Sequence, residues 1–388
     1  MTSRDDSIAL VRRALAHFRA RTTDEAETVM EQDTAAYTDP ERYAREVDRI
    51  FRSLPLALAL SIELPKPGSW RAMNVAGVPV LLTRDEEGRA NAFLNACRHR
   101  GALICEAGRG EAARLSCPYH AWSYDLAGRL VGIYAENTFG AVDKARLSLH
   151  RLPCEERAGL VFVALRPEAR FDIDEWLGDF RAELDGLELG GWHIYAQREF
   201  EGPGWKVAWD GYLEAYHHNP VHGATVGRYT IGNLLLQDVY GPHQRITFAR
   251  RSLKDIEHVP PEEWEPDAHI RKIHSLFPNL SISGILGDHA LVSQLFPGPT
   301  PFSTVTRQTV LCARMPETDE EKAATEAFSR IVEQAVVEED YKVGFTIQEG
   351  LIGGANKTFL YGRNEPAIQH YHRTVARFAN TAPPRPLR

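Results

Sequence analysis

The sequence has no hydrophobic run long enough to cross a membrane. Its longest apolar stretch, around Leu54 to Ile62, contains Pro55 and Ser61 and is much shorter than the roughly 20 apolar residues of a transmembrane helix. The first residues, Met1 to Asp6, also lack the apolar core of a secretory signal. We therefore expect no membrane partner and a cytoplasmic location.

Positive charge and cysteine are scarce as well. The 388 residues carry a net charge of −8 with a pI near 6.0, which argues against a nucleic-acid partner because phosphate binding needs a basic face. Only five cysteines are present. Three of them stand outside any motif, an odd remainder that argues against a disulfide framework and fits a reducing compartment: Cys105, Cys154 and Cys312.

The residues that are present indicate two globular domains. Hydrophobic residues make up 43% of the chain and charged residues 25%, and the length accommodates two domains of ordinary size. Residues 1–50 have apolar positions at helical spacing, and a second helix is predicted to begin at Pro40 after the capping residue Asp39. We expect these N-terminal helices to pack on the C-terminal domain.

The rest of the chain changes character near residue 167. Residues 51–166 consist of short β-branched and aromatic runs separated by turns, which predicts an all-β domain. Its clearest predicted strands are 78–82, 91–94 and 160–165. Residues 167–388 mix both element types, with predicted helices at 174–187 and 317–345 and predicted strands at 245–250, 280–285 and 304–312.

Two short motifs in the all-β region combine cysteine with histidine. Cys97-Arg98-His99 and Cys117-Pro118-Tyr119-His120 each supply one thiolate and one imidazole. A structural zinc finger, the alternative interpretation, usually groups its cysteines on one arm and its histidines on the other. A Rieske [2Fe–2S] centre binds one iron through two sulfurs and the other through two imidazoles, which two mixed arms supply.

At these residues the chain resembles the Rieske family, and more narrowly the α subunits of Rieske non-haem iron ring-hydroxylating oxygenases. The resemblance implies an α+β protein: an all-β Rieske domain at 51–166, and a catalytic domain at 167–388 whose central antiparallel sheet is flanked by helices. It also implies which residues hold the [2Fe–2S] cluster: Cys97, His99, Cys117 and His120.

A second motif, between Trp209 and His222, contains three histidines: His217, His218 and His222. If residues 210–219 are helical, Glu214 and His217 share a face, and Pro220 bends the chain so that His222 turns towards His217. Two imidazoles and one carboxylate form the facial triad of mononuclear Fe(II) oxygenases. Ordinary surface or core histidines on an amphipathic helix are the alternative.

The residues alone leave the carboxylate ligand open among Glu338, Glu339, Asp340 and Glu349. The family pattern selects Asp340, because the family's aspartate precedes a Gln by eight residues and a Gly by ten, as Asp340 precedes Gln348 and Gly350. The alternative is that the acidic residues form a solvated helix face.

The resemblance implies a terminal oxygenase that uses O2, mononuclear Fe(II) and electrons from NAD(P)H to hydroxylate a small molecule. No Gly-x-Gly-x-x-Gly fingerprint follows a strand, so we expect a separate flavin reductase, with or without a ferredoxin. The candidate pocket walls are apolar, and no cluster of basic residues suggests a polyanionic substrate: Leu213, Val226, Leu280 to Leu286, Leu295 and Phe296. These walls favour an aromatic or alicyclic substrate. A Rieske monooxygenase for N- or O-demethylation or methyl hydroxylation is the alternative, and an electron carrier or zinc protein without oxygenase activity is a third.

The resemblance further implies a ring of three α subunits in which electrons pass between chains. The link would run from His120 of one chain through Glu214, with Asp210 nearby, to His217 of the next. His218 is interpreted as a pocket residue. Arginines near the cysteine motifs predict a basic rim that steers an acidic ferredoxin or reductase: Arg98, Arg100, Arg109, Arg114 and Arg129. The length resembles that of members without β subunits, so a β subunit is possible but not favoured.

Overall fold

The computed structural model describes residues 4–286, 288–382 and 384–386, without the side chains of 284–286 and 386. Residues 1–3, part of the N-terminal segment that was examined for a secretory signal, lie outside the described residues. So do the side chains at 285 and 286, which were predicted to line the pocket. None of the helices within these ranges combines the length and apolarity that a membrane span needs.

The chain forms two compact units. One is Phe51–Trp176, and the other combines Met1–Ile50 with Leu177–Arg388. The sequence predicts a boundary at residue 167, whereas the first compact unit extends to Trp176.

The unit Phe51–Trp176 is built from antiparallel sheets. The largest has five strands in the order Arg151–Leu152, Ala90–Leu94, Val78–Arg84, Ser69–Val75 and Gly108–Glu111. A three-stranded sheet contains Cys154–Arg157, Leu160–Val163 and Leu56–Leu60. A smaller one contains Leu115–Ser116, Ser123–Tyr124 and Leu130–Gly132. The helical segments are Ser61–Glu63, Glu136–Phe139, Lys144–Leu147 and Ile173–Leu177, the last at the unit boundary.

A buried cluster in this unit supports the loops that carry the cysteine motifs. It includes Cys97, Cys117 and the fully buried Tyr124. Gly128, in the turn that follows, has a φ of +81°, and a Cβ atom there would lie 2.4 Å from the ring of Phe93. Only glycine meets both conditions, because a side chain would be strained by the backbone and would clash with the ring.

A seven-stranded antiparallel sheet forms the centre of the second unit. Its order is His193–Gly202, Thr304–Cys312, His289–Pro297, Leu280–Leu286, Ile270–Leu276, His243–Arg250 and Thr230–Tyr240. A small sheet contains Thr358–Tyr361, Met30–Asp33 and Arg385–Pro386. The central antiparallel sheet expected from the sequence is therefore present, and the predicted strand 304–312 has the observed bounds.

Helices of several types surround this sheet. The α-helices are Arg4–Ala20, Ala35–Thr38, Pro40–Glu46, Phe180–Asp185, Trp205–Tyr212, His218–Val221, Pro266–His269, Asp319–Glu333, Tyr341–Ile352 and Pro366–Ala379. The π-helical segments are Val47–Phe51 and Gln334–Asp340. The 3₁₀ segments are Leu189–Gly191, Val226–Arg228, Arg251–Ile256 and Pro261–Glu263.

The N-terminal helices follow the sequence pattern. Leu10 and Val11 of the first helix are buried in a cluster with Leu234 and Leu236 of the sheet. The helix at Pro40 begins as predicted, because the Asp39 side chain accepts hydrogen bonds from the backbone N–H groups of the second and third helical residues at 2.7 and 3.1 Å. Such a cap satisfies N–H groups that have no partner within the helix.

Glu183 anchors a buried polar network at the sheet. Its carboxylate accepts hydrogen bonds from Arg245 Nη1 at 2.5 Å, Tyr240 Oη at 3.0 Å and His274 Nε2 at 3.1 Å. Burial raises the pKa of Glu183, but His274 and Arg245 outweigh it and lower the pKa to about 2. We expect Glu183→Gln to destabilise the protein by about 3 kcal/mol at neutral pH, because the buried guanidinium loses its closest counter-charge. Urea unfolding midpoints measure this loss.

The pH dependence of this contribution has a defined sign. A carboxyl group whose folded pKa is depressed stabilises the protein above its ordinary pKa of 4.5, and the stabilisation is lost as the pH falls towards 2. The exposed Glu201 on strand His193–Gly202 provides the control, and Glu201→Gln should change stability by less than about 0.5 kcal/mol. Equal losses in the two variants would contradict the role of Glu183.

Candidate functional site

Cys97 and Cys117 head two turns that close in the same way. In each turn the N–H of the fourth residue after the cysteine donates to the cysteine carbonyl, and the cysteine N–H donates to the carbonyl of the fifth residue, at 2.8–2.9 Å. The fourth residues, Gly101 and Ala121, both have positive φ values, 78° and 54°. The two motifs are therefore equivalent loops that each present one thiol and one imidazole.

The side chains of these loops meet and fit a metal cluster. The rings of His99 and His120 lie with centroids 4.7 Å apart, and the buried thiols of Cys97 and Cys117 interact with each other. The Nδ1 atom of His99 is buried and has no hydrogen-bond partner among the described residues. Such an atom is costly to leave unpaired, and a metal ligand bond would satisfy it.

His217, His222 and Asp340 converge in the second unit. The Nε2 atoms of the two histidines lie 3.0 Å apart, and Asp340 Oδ1 lies 3.4 Å from His217 Nε2 and 2.9 Å from His222 Nε2. In the part of the chain that the structure describes, these three residues are the group whose potential ligand atoms all lie within 4.8 Å. Two imidazoles and one carboxylate are the donor set of a facial triad, which leaves positions open on the metal.

The backbone reaches this arrangement by a different route from the predicted one. The expectation of a helix through 210–219 is wrong, because helix Trp205–Tyr212 ends and a new helix, His218–Val221, follows. Pro220 lies inside the second helix and not at the break. In the first turn of a helix the N–H that proline lacks has no helical partner, so the residue is tolerated there.

The break is stabilised by Glu214. Its Oε2 atom accepts hydrogen bonds from the backbone N–H groups of Tyr216 and His217, the second at 3.0 Å. A side chain that satisfies backbone donors in this way competes with helical hydrogen bonding. The same turn directs the His217 ring towards His222, so Glu214 and His217 meet as predicted although they do not share a helix face.

A carboxylate also holds the far nitrogen of each histidine. Glu214 Oε1 accepts from His217 Nδ1, and Glu339 Oε2 accepts from His222 Nδ1 at 2.6 Å. An ionised carboxylate only accepts hydrogen bonds, so each Nδ1 carries the proton. Nε2 of each ring then faces the space shared with Asp340 and would offer its lone pair to a metal bound there, which is the arrangement of metal-binding histidines.

Glu339 and Asp340 are consecutive residues of the π-helical segment Gln334–Asp340. π-Helical turns are rare and occur frequently at functional sites. Here the two carboxylates approach the two nitrogens of one ring, since Glu339 contacts His222 Nδ1 and Asp340 contacts Nε2. The two remaining acidic candidates are exposed: Glu338 and Glu349.

The charges of this group favour a cation at its centre. Burial lowers the pKa of His217, but hydrogen bonds to Asp340 and Glu214 outweigh it and raise the pKa to about 10. Burial raises the pKa of Asp340, but the hydrogen bonds from His217 and His222 lower it overall. Three carboxylates around two imidazoles therefore stabilise positive charge where a divalent cation would bind.

Cavities reach the three residues from two sides. One, of about 330 Å³, is lined by Asp210, Glu214 and mostly apolar side chains. A narrow cavity of about 60 Å³ lies on the other side, next to His218 and Phe248, and shares lining residues with an outer cavity of about 500 Å³. His217 and Asp340 therefore line two cavities, and His222 lines the narrow one.

The other predicted site residues have different surroundings. Asp210 accepts hydrogen bonds from Tyr37 Oη at 2.7 Å, Tyr361 Oη at 3.1 Å and His372 Nε2 at 2.8 Å, so its oxygens are engaged within the chain. His218 is buried and lines the narrow cavity. Of the predicted walls, Val226 and Ser283 line this cavity, whereas four others are buried in the core: Leu213, Leu280, Leu295 and Phe296.

Comparison with protein families matches both units. The family model "Rieske [2Fe-2S] domain" matches residues 55–147, and "Ring hydroxylating alpha subunit (catalytic domain)" matches residues 189–381. The chain belongs to the Rieske oxygenase α subunits. The [2Fe–2S] and mononuclear iron cofactors are those of this family. The match to the Rieske [2Fe-2S] domain decides against a zinc site at the cysteine and histidine motifs.

Curated relatives of this α subunit include enzymes with different substrates. The chain is 32% identical over 190 residues to the glycine betaine monooxygenase oxygenase subunit of Chromohalobacter salexigens, covering 48% of this chain and 42% of the relative. It is 33% identical over 171 residues to the benzene 1,2-dioxygenase α subunit of Pseudomonas putida, covering 42% of this chain and 38% of that relative. The matches thus span less than half the length of these relatives.

Solved structures show the same fold over nearly the whole α subunit. The quaternary ammonium Rieske monooxygenase CntA in complex with L-carnitine has a TM-score of 0.76 at 22% identity, covering 92% of this chain and 96% of CntA. Naphthalene 1,2-dioxygenase from Rhodococcus sp. bound to indole has a TM-score of 0.70 at 21% identity, covering 92% and 88%. At these identities the likeness establishes the fold.

Two features of the α subunit site were missed by sequence reasoning. Glu339 was considered only as a metal ligand, whereas it contacts the outer nitrogen of His222. Arg271 lines both the narrow and the outer cavity, although the sequence suggested no basic pocket residues. No sequence pattern around either residue indicates its role in the site. Glu339 looks like its acidic neighbours, and Arg271 stands next to Lys272, as residues on a solvent-exposed face often do.

Proposed function

We propose that this chain is the terminal oxygenase component of a Rieske oxygenase, which hydroxylates a small organic molecule with O2 and electrons from NAD(P)H. The convergence of His217, His222 and Asp340 beside a cavity carries the proposal. The equivalent loops headed by Cys97 and Cys117 support it, because the same chain then has residues for an electron-transferring cluster and for a metal with open positions for O2.

Residues of both sites have distinct roles in this proposal. The cluster would be held by Cys97, His99, Cys117 and His120, and the mononuclear iron by His217, His222 and Asp340. When bound, these groups supply electron storage and O2 reduction. Glu214 and Glu339 hold the Nδ1 protons of the two histidines and thereby keep each Nε2 aimed at the metal position. Phe248 and Ile273 line the narrow cavity and restrict water there.

Two substrate classes are supported by different relatives. Hydroxylation of an aromatic or alicyclic ring is supported by the benzene and biphenyl dioxygenase α subunits and by the apolar lining of the narrow cavity. The monooxygenase alternative, oxidative demethylation or methyl hydroxylation, is supported by the glycine betaine monooxygenase oxygenase subunits. Product analysis separates them, since ring hydroxylation places oxygen on ring carbons, methyl hydroxylation places it on a methyl carbon, and demethylation releases one carbon as an aldehyde.

We further propose a ring of three chains without β subunits. Exposed apolar side chains border both candidate sites: Leu103, Tyr119 and Tyr134 near the cysteine loops, and Val343, Ile347 and Leu360 at the cavity beside Glu214. Such surfaces are typical of interfaces, and a head-to-tail contact that closes by rotation forms a ring. The structure of a quaternary ammonium Rieske monooxygenase with the same fold gives insight into inter-subunit electron transfer in that enzyme. In the proposed ring His120 of one chain approaches Glu214 of the next.

The electron donor is proposed to be a flavin reductase, with or without a ferredoxin. Arg100 lies at the exposed side of His120, with Nη2 3.1 Å from its Nε2, and is available to an acidic partner. Arg129 contributes less to the predicted basic rim, because it pairs with Asp125 at 2.6 Å.

The metal content tests the proposed function directly. Purified protein should contain about three irons and two acid-labile sulfides per chain, as one cluster and one mononuclear site require. His222→Ala should lower the iron content by about one per chain and leave the sulfide unchanged, because His222 lies in the other compact unit from the cysteine loops. Elemental analysis and a sulfide assay measure both. Zinc without sulfide would overturn the proposal.

A further inference from the structure

The outer cavity of about 500 Å³ has a cationic wall. Its volume lies in the range of small-molecule sites. Among its described lining residues there are four arginines and no carboxylate: Arg228, Arg250, Arg251 and Arg271. A surface of this kind favours an anion.

Two of these arginines are incompletely paired, although each is attracted by one carboxylate, Asp340 for Arg271 and Asp267 for Arg250. Arg271 Nε and Arg250 Nη2 are buried and have no hydrogen-bond partner in the described chain. Burial, and then the charge of Arg250, lowers the pKa of Arg271 to about 10, so its side chain still carries a positive charge at neutral pH. Arg251, by contrast, donates to the carbonyl of Gly227 at 3.2 Å, and Arg228 is exposed.

Arg271 connects the cationic wall to the candidate iron site. It lies on strand Ile270–Leu276 and lines both the outer cavity and the narrow cavity that reaches His217. Val226 and Val332 also line both cavities. A molecule that contacts Arg271 in the outer cavity therefore also meets apolar side chains that the cavity beside the histidines shares.

We propose that the substrate of the oxygenase proposed above carries a carboxylate, which binds Arg271 and Arg250, and that its apolar part extends towards His217 and His222. The planar guanidinium group matches a carboxylate through two parallel hydrogen bonds. A carboxylate at this position supplies hydrogen-bond acceptors for the unpaired nitrogens and further negative charge, which offsets part of the cost of burying the two guanidinium groups. The carbon that reacts is then remote from the carboxylate.

Matched pairs of ligands test this inference. The holoprotein is titrated by calorimetry, in the absence of reductant, with benzoate and benzamide, phenylacetate and phenylacetamide, and glycine betaine and choline. Each pair keeps the body of the molecule and changes the carboxylate to a neutral group. We expect at least one carboxylate to bind, and to bind at least about 10-fold more tightly than its partner, because the neutral group leaves the two cations unpaired.

Arg271→Gln should remove this preference. The affinity for the carboxylate should fall by at least about 10-fold, whereas that for its neutral partner should stay within a few-fold. Iron and sulfide contents should be unchanged, and the unfolding temperature unchanged or higher, because a buried cation without a partner has been removed. Arg330→Gln is the control, since Arg330 pairs with Glu326 at 2.9 Å on an exposed helix face.

Three results would overturn the inference: neutral partners that bind as tightly as carboxylates, no binding by any carboxylate, or no effect of Arg271→Gln on a carboxylate that binds. These outcomes are independent of the proposed function. A lack of iron or sulfide in the unmodified protein would overturn the oxygenase proposal instead.

Discussion

Glu214→Gln should leave both metal sites filled and slow substrate hydroxylation by about 100-fold, the upper end of what outer partners of metal-bound histidines contribute. One carboxylate oxygen accepts from His217 Nδ1, and the other accepts from the backbone N–H groups of Tyr216 and His217. A glutamine side chain has only one acceptor oxygen. Either the His217 ring or the backbone N–H groups of the turn therefore lose their hydrogen-bond acceptor. Steady-state turnover at saturating iron, together with iron content, measures the effect.

Glu339→Gln is the matched comparison, because Glu339 contacts His222 as Glu214 contacts His217. If Glu214 only orients a histidine, both variants should lose iron affinity and turnover to a similar extent. If Glu214 also lies between chains, as proposed, single-turnover oxidation of the reduced protein should be slower in Glu214→Gln than in Glu339→Gln at equal iron content. A Glu214→Gln variant with full activity, or a fully active monomer, would contradict the proposed inter-chain role.

Asp340→Ala should abolish hydroxylation and lower the iron content from about three to about two per chain, with the sulfide and the cluster absorbance unchanged. Asp340 supplies the one carboxylate oxygen of the group, 2.9 Å from His222 Nε2 and 3.4 Å from His217 Nε2. Loss of this ligand should lower the hydroxylation rate by more than the roughly 10- to 100-fold that follows the loss of a residue hydrogen-bonded to a metal-binding histidine. Iron analysis and product formation under coupled turnover measure the outcome.

Glu338→Ala provides the control, because Glu338 lies two residues away in the same π-helical segment and is exposed. It should retain iron and activity. If Asp340→Ala also retains both, the carboxylate ligand is another residue, and Glu339 is the next candidate because it contacts His222 at 2.6 Å.

Much of the architecture is local and was predictable. A run rich in β-branched residues predicts the strand at Thr304–Cys312. Asp39 before Pro40 predicts the start of a helix, and the observed hydrogen bonds of the Asp39 side chain cap that helix. The cysteine and histidine motifs at 97–99 and 117–120 are short enough for spacing alone to indicate their chemistry. These predictions succeed because neighbouring residues set backbone propensity and periodicity.

The arrangement of the candidate iron site depends on contacts that spacing cannot show. The sequence predicted a helix where the chain breaks after Tyr212, since it could not show that Glu214 would accept backbone hydrogen bonds and compete with the helix. His222 and Glu339 are 117 residues apart in the chain and meet at 2.6 Å only in the folded protein.

Composition and local pattern therefore determined the class of the protein: an α+β chain with a β-rich Rieske domain, a sheet-centred second domain and the residue types of two metal sites. Tertiary structure decided which carboxylate contacts which histidine nitrogen, that Asp210 is held by three donors, and that Arg271 lines a cavity with its Nε atom unpaired among the described residues. The reason is physical. Propensity and periodicity act over a few residues, whereas hydrogen bonds and charge pairs depend on distance in space, which only the packed chain defines.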